Sequence, residues 1–166
     1  MTTLSIVFDE SRCINCKACE IHCRQWHGLP MSLCRHIGDA PRPDAEGVIR
    51  LRMGLLHCVQ CPRPHCLPAC THEAMRLDED GIVHIDAERC TGCGDCLAAC
   101  PYHALCRHPQ TGKVFKCDLC RDRRAQGEEP ACVAGCLTHA LRLSNAPEDY
   151  KHAGKAVARA LKLSRG

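Results

Sequence analysis

Apolar and polar residues alternate along this chain only in short stretches, and each stretch ends in a turn. AMRLDEDGIVHID (74–86) sets two brief apolar runs with β-branched residues on either side of a DEDG turn, which predicts a β-hairpin. LCRHPQTGKVF (105–115) has the same layout around PQTG and predicts a second hairpin. IVF (6–8) and ALRLS (140–144) predict one strand near each end of the chain. Residues 30–47, PMSLCRHIGDAPRPDAEG, are rich in Pro and Gly and predict a surface loop, with a strand at VIRLRM (48–53) behind it. In the tail, DYKHAGKAVARALKLSRG (149–166), Val157, Ala160 and Leu161 recur with basic residues between them and predict a short terminal helix.

These elements offer little to fill a core. The aromatic residues are Phe8, Trp26, Tyr102, Phe115 and Tyr150, too few to pack 166 residues. The chain instead carries 18 cysteines, above the level that marks a disulfide or metal scaffold. The N-terminal MTTLSIVFDESRC has neither a basic n-region nor an apolar h-region, so no secretory signal is expected. No apolar run is long enough to span a membrane. A reducing, cytoplasmic setting disfavours disulfides, which makes metal binding the expected use of the thiols.

The cysteines fall into four groups: Cys13, Cys16, Cys19, Cys23; then Cys58, Cys61, Cys66, Cys70; then Cys90, Cys93, Cys96, Cys100; then Cys117, Cys120, Cys132, Cys136. Cys34 and Cys106 stand apart. The flanks repeat as well. FDESRC before Cys13 matches IDAERC before Cys90, and CTHEAM, CPYHAL and CLTHAL follow the fourth cysteine of three groups. The first group departs, with RQWHGL after Cys23. C-x2-C-x2-C-x3-C-P is the cysteine run of bacterial-type [4Fe–4S] ferredoxins. Three closely spaced thiolates wrap one corner of a cubane, and the fourth points along a short helix to the other cluster of a pair. Gly92, Gly94 and Ala18 leave room for backbone amides near sulfur. Structural zinc is the competing use of C-x2-C pairs. It suits the fourth group taken alone, but not the closely spaced triplets of the first and third.

Groups two and three are joined by a hairpin-length link, 71–89, which pairs them and leaves the outer groups to pair with each other. The expected fold is therefore α+β: two bacterial-ferredoxin-like two-cluster units, one inserted in the other, with short β-hairpins and helices around four iron–sulfur clusters. The outer unit comprises 1–46 and 114–166, and the inner unit 47–113.

KCDLC (116–120), GEEPACVAGC (127–136) and the widened C-x2-C-x4-C-x3-C of group two resemble the four-cluster electron-transfer subunits of molybdenum and tungsten pterin oxidoreductases and of formate–hydrogen systems. The resemblance covers roughly residues 5–145 and implies four [4Fe–4S] clusters. It assigns Cys13, Cys16, Cys19 and Cys136 to cluster 1, and Cys23, Cys117, Cys120 and Cys132 to cluster 2. Cluster 3 takes Cys58, Cys61, Cys66 and Cys100, and cluster 4 takes Cys70, Cys90, Cys93 and Cys96. Where many relatives have proline after the fourth cysteine, this chain has Arg24, Thr71 and Leu137, and only Pro101 conforms. No ligand is lost by that. The short length is similar to that of the small iron–sulfur subunits of cytoplasmic tungsten-dependent aldehyde oxidoreductases.

The resemblance implies a non-catalytic electron-transfer subunit of anaerobic metabolism. Its partners would be a large tungsto- or molybdopterin catalytic subunit at one end and a flavin-containing, ferredoxin or other redox partner at the other, with self-association into a longer relay a further expectation. The alternative is a free polyferredoxin, or a carrier of a formate/hydrogen system or cofactor-maturation pathway. No nucleophile–base pair or Gly-rich cofactor loop is present, and the tail lacks the interleaved aromatics of a nucleic-acid arm. The formal charge of +3 falls to about −5 once four oxidised clusters of about −2 each are added. Arg24, Lys116, Arg121, Arg123 and Arg124 lie near ligands in sequence and are candidates to offset that charge. Cys34 and Cys106 are expected to be spare thiols, His103 and His139 to pack in turns beside clusters, and Trp26 to pack against the first cluster or a partner.

Overall fold

Residues 4–38, 42–50 and 52–163 are described by the computed structural model. Residues 1–3 in the stretch read for a secretory signal, 39–41 in the predicted loop, Leu51 in the predicted strand and 164–166 at the end of the tail lie outside them. In chain order the strands and helices are β1 (Ser5–Phe8), α1 (Ala18–His27), β2 (Arg35–Gly38), β3 (Arg42–Pro43), β4 (Ile49–Arg50), β5 (Met53–Leu56), β6 (Met75–Leu77) and β7 (Val83–Ile85). They continue with α2 (Asp95–Ala99), β8 (Leu105–Arg107), β9 (Val114–Lys116), α3 (Arg121–Ala125), α4 (Ala131–Ala134), β10 (Leu141–Ser144) and α5 (Pro147–Leu163). The strands form two-stranded antiparallel ribbons, β1–β10, β2–β5, β3–β4, β6–β7 and β8–β9.

Both predicted hairpins form. In β6–β7, Met75 faces Ile85 and Leu77 faces Val83. Asp78 closes the turn, its carboxylate accepting from the Ile82 N–H at 2.7 Å, while Gly81 takes the φ of 76° that the turn needs. In β8–β9, Leu105 faces Lys116, and the His108 N–H donates to the Lys113 carbonyl at 2.8 Å. The two end strands also meet, Ser5 against Ser144 and Phe8 against Leu141.

The segment 30–47 differs from expectation. Arg35–Gly38 is a strand, not part of a surface loop, and pairs with Met53–Leu56. The strand expected at 48–53 is divided: Ile49–Arg50 joins Arg42–Pro43 in a small ribbon, and the main strand starts at Met53. The physical reason is tertiary. Polar side chains and amides of β2 find partners across the fold, the His36 N–H donating to Glu20 Oε1 at 2.7 Å and the Arg35 guanidinium to the His103 carbonyl at 2.9 Å. On β5, Gly54 admits the last helix, because a Cβ there would lie 2.5 Å from the Ala160 Cβ.

That helix, α5, is longer than the sequence suggests. Pro147 begins it, as suits the first helical position, and Ala153, Val157 and Ala160 are buried against β1, β2 and β5. Elsewhere the core mixes small apolar residues with thiols. Ile6, Leu55, Ile82 and Leu119 pack in one cluster with Cys19, Cys23, Cys58, Cys66, Cys96, Cys100, Cys117 and Cys132. Among the described residues no helix is long and apolar enough to cross a membrane.

Candidate metal centres

Each cysteine group is shaped by the same backbone device. Two residues after its first cysteine the chain turns left-handed: Asn15 at φ 57°, Gln60 at 52°, Gly92 at 77° and Leu119 at 59°. Three of these are not glycine, an uncommon conformation that costs about 1–2 kcal/mol each. The return is a concave row of N–H groups suited to sulfur anions. The Asn15 N–H donates to Cys13 Sγ and the Leu119 N–H to Cys117 Sγ, both at 3.4 Å. Further amides reach sulfur from outside the groups: Leu33 to Cys23, Val114 to Cys90 and Ala131 to Cys120, each at 3.4 Å.

The repeat behind the fourth cysteine also has a structural cause. Glu73, His103 and His139 occupy equivalent places and are left-handed, with φ 51°, 46° and 50°. Each N–H donates to the carbonyl of the cysteine three residues earlier, at 3.3, 3.1 and 3.0 Å. The two histidines therefore serve as turn residues, as expected. Cys23 escapes this pattern because it lies inside α1, which continues to His27 and ends on Gly28 at φ 60°. The RQWHGL departure is that helix running on.

All eighteen cysteines are free thiols. Thiols of different cysteine groups lie close enough to act on one another. The Cys13 thiol is pushed up by burial, and by Cys19, Cys136 and Cys16 beside it. Burial lifts Cys120 to about 12, with Cys132 and Cys23 adding to it, and lifts Cys117 well above its ordinary value, with Cys132 next. Cys66 is pushed up to about 11 by burial, with Cys58, Cys100 and Cys61 around it. Cys96 is raised by burial and by Cys70, Cys93 and Cys90. Cys58, Cys61, Cys66 and Cys100 line one hollow, and Cys70, Cys90, Cys93 and Cys96 line another.

These residues fit cubane clusters. A zinc ion draws its four ligands to one point at about 2.3 Å. Among the described residues no three Cys, His, Asp or Glu side chains converge in that way, and the thiols instead ring a void. The amide-to-sulfur bonds add the donors that thiolate-bound clusters need.

Several neighbours differ from the sequence reading or escape it. Cys34 stands in the loop just before β2, as read, but is buried: it is 2% exposed, its Sγ donating to the Cys19 carbonyl at 3.6 Å. The Cys34 thiol is the main cause pulling Cys19 down to about 5 and Cys23 to about 6. Cys106 sits on β8, as expected, with its thiol toward the Ser32 carbonyl at 3.8 Å. Trp26 is half-exposed beneath the Arg123 guanidinium, 4.8 Å from the ring centroid. Of the five basic residues near ligands, Arg24 and Arg121 are exposed, Arg123 and Arg124 pair with Glu128 and Asp80, and only Lys116 is buried. His36 escapes the sequence reading, yet its ring lies 3.5 Å from both Cys13 Sγ and Cys19 Sγ, with Glu20 Oε1 at 3.2 Å. No periodicity marks a lone histidine in a polar stretch, so the sequence holds no signal for it.

Comparison with known proteins agrees with this chemistry. Residues 51–146 match the sequence pattern of the 4Fe-4S dicluster domain. The protein is 37% identical over 156 residues to a polysulfide reductase subunit from Wolinella succinogenes, a match covering 92% of this sequence and 82% of that one. It is 37% identical over 146 residues to a thiosulfate reductase electron transfer subunit of Salmonella typhi, covering 86% and 76%. A formate dehydrogenase iron-sulfur subunit of Haemophilus influenzae is 33% identical over 170 residues, covering 92% of this sequence and 54% of its own length.

Proposed function

The chain belongs to the 4Fe-4S dicluster family and its cofactors are four [4Fe–4S] clusters, and from that premise we propose that it is the electron-transfer subunit of a pterin oxidoreductase complex. The observation that carries this reading is that two hollows are each lined by thiols of two cysteine groups, Cys58, Cys61 and Cys66 with Cys100 in one and Cys90, Cys93 and Cys96 with Cys70 in the other. Cys13, Cys16, Cys19 and Cys136 would hold cluster 1, and Cys23, Cys117, Cys120 and Cys132 cluster 2. Cys58, Cys61, Cys66 and Cys100 would hold cluster 3, and Cys70, Cys90, Cys93 and Cys96 cluster 4. Bound clusters supply one-electron storage; the chain's own residues hold them, shield them and set their surroundings. In this assignment groups two and three would exchange fourth cysteines, as would groups one and four, which corresponds to an inner unit at 47–113 inserted into an outer unit at 1–46 and 114–166. The β1–β10 pairing of the chain ends supports the same arrangement.

The catalytic partner in this proposal is a molybdo- or tungstopterin subunit, with an aldehyde oxidoreductase the narrower candidate, and the second partner is a flavin-containing or other redox protein. The complex would reside in the cytoplasm, where thiols stay reduced. The test is anaerobic isolation of the complex from its source. The expected result is about sixteen irons and sixteen acid-labile sulfides per chain, cluster signals in the reduced state, and a co-purifying pterin protein. Full cluster content with no partner would favour the free polyferredoxin; zinc in place of iron and sulfide would end the electron-transfer reading.

A further inference from the structure

A buried cation lies where the second and third thiol sets approach each other. Lys116, at the end of β9, is 6% exposed. Its Nζ donates to Gln60 Oε1 at 3.2 Å, to the Cys117 carbonyl at 2.8 Å and to the Val83 carbonyl. Three acceptors meet the three donors of an ammonium group. All three are neutral amide oxygens, and among the described residues no carboxylate pairs with the lysine. Burying an unpaired charge is expensive, so its counter-charge must be near. Lys116 borders the space ringed by Cys58, Cys61, Cys66 and Cys100, and it directly precedes Cys117 of the second set. Gln60, from the second cysteine group, lines that same space and also bonds the Cys117 carbonyl, so the two sets adjoin here.

Gln60 fixes the lysine in place. It is 6% exposed, holds a left-handed φ of 52°, and spends both ends of its amide at this junction. Its oxygen accepts from Lys116, and its Nε2 donates to the Cys117 carbonyl at 2.6 Å. A residue of the second cysteine group is thereby tied to the fourth group, across the boundary between inner and outer units.

We propose that Lys116 is a built-in positive charge that raises the reduction potentials of the two clusters meeting at this junction, with Gln60 as its positioning residue. The inference rests on the ligand sets proposed above. Reduction adds one electron to a cluster and makes it more negative, so a fixed cation nearby favours the reduced form and raises the potential. The two clusters held at this junction would then be easier to reduce than they would be without the lysine.

The test uses the assembled holoprotein in wild-type, Lys116→Met, Lys116→Arg and Gln60→Glu forms. Iron and sulfide per chain are measured first, and the one-electron midpoints are then followed by paramagnetic resonance in a potentiometric titration. Lys116→Met is expected to lower two of the four midpoints by at least tenfold in the reduction equilibrium, ~59 mV for a one-electron couple, and to leave the other two in place. Lys116→Arg keeps the charge and should keep the midpoints. Gln60→Glu sets a carboxylate against the ammonium and should lower the same two midpoints by less. The inference is overturned if Lys116→Met carries full iron with all four midpoints unmoved, or if Lys116→Arg moves them as far as Lys116→Met does. Should Lys116→Met fail to load, Gln60→Glu decides: full iron with unmoved midpoints overturns it. A wild-type protein with fewer than four clusters would instead sink the ligand assignment.

Discussion

The hairpins β6–β7 and β8–β9 and the ribbon β1–β10 frame thiol sets of one kind, yet they are closed in different ways. Each hairpin turns back within a few residues and is pinned locally, by Asp78 in one case and by the His108–Lys113 bond in the other. The ribbon joins Ser5 to Ser144, so the rest of the chain lies between its strands. Closing a long loop costs more entropy than closing a short one, and β1 and β10 have no turn to offset it. Their support comes from α5, which covers β1, β2 and β5, and from α4 packed on α1. The comparison teaches that the same cysteine chemistry rests on local sequence in one half and on distant contacts in the other.

The largest test of that contrast is removal of the metal. Two-stranded ribbons are marginal in water, and metal binding is coupled to folding in such small metallo-domains. A chelator that strips the iron is therefore expected to abolish the cooperative thermal transition and most of the far-UV circular dichroism. The order of loss sharpens the comparison. Hydrogen exchange should rise first at 5–8 and 141–144 and only later at 75–85 and 105–116. Simultaneous loss would erase the distinction, and native dichroism in an iron-free chain would refute the view that the clusters act as core.

The same contrast explains what can be read from the sequence. DEDG and PQTG flanked by apolar runs announce their hairpins because turn chemistry and pairing lie in one stretch. The cysteine spacing of groups one and three announces the iron–sulfur chemistry, since three thiols within seven residues leave few other uses. Arg35–Gly38 is illegible: RHIG has no alternation and sits in a Pro- and Gly-rich run. It is a strand only because β5, Glu20 and His103 supply what the segment lacks. Cys34, in the loop just before it, gives no sign of its burial. Lys116 is visible as a charge near a ligand but looks the same as Arg24, Arg121, Arg123 and Arg124. Burial alone separates it from them, and burial here is set by Gln60 and Val83 from other elements.

A smaller effect is expected from glycines, one in each kind of region. Gly54→Val drives a side chain into Ala160 on α5, where a Cβ alone would lie at 2.5 Å. Overpacking of this sort costs about 1–3 kcal/mol, a fall in Tm of roughly 2–4 °C per kcal/mol at this chain length. Faster exchange should reach β1 and β2 as well as β5, because α5 covers all three. Gly112→Ala meets open space but strains a φ of 70° in the β8–β9 turn, at about 1–2 kcal/mol. Its exchange changes should stay within that hairpin. If Gly112→Ala loosened the β1–β10 ribbon as much as Gly54→Val does, the two halves would not be separable in this way.

The smallest expected effect concerns the attachment of α5 to the end strand. Asp149, in the first turn of α5, accepts from the Arg142 guanidinium at 2.8 and 2.9 Å and from the Ser144 hydroxyl at 2.7 Å. These bonds, those from Arg142 first, hold its carboxyl down at about 2, against 3.8 for the free side chain. A depressed carboxylate stabilises the fold fully above the unfolded value and loses that contribution only as pH falls toward the folded one. Asp149→Asn should therefore lower Tm slightly, by less than Gly54→Val does, because the pair is solvent-facing and screened. The deficit should be the same at pH 6, 7 and 8, and smaller in high salt. A deficit that grew or shrank across that range would mean that a group other than the Asp149 carboxylate holds α5 to β10.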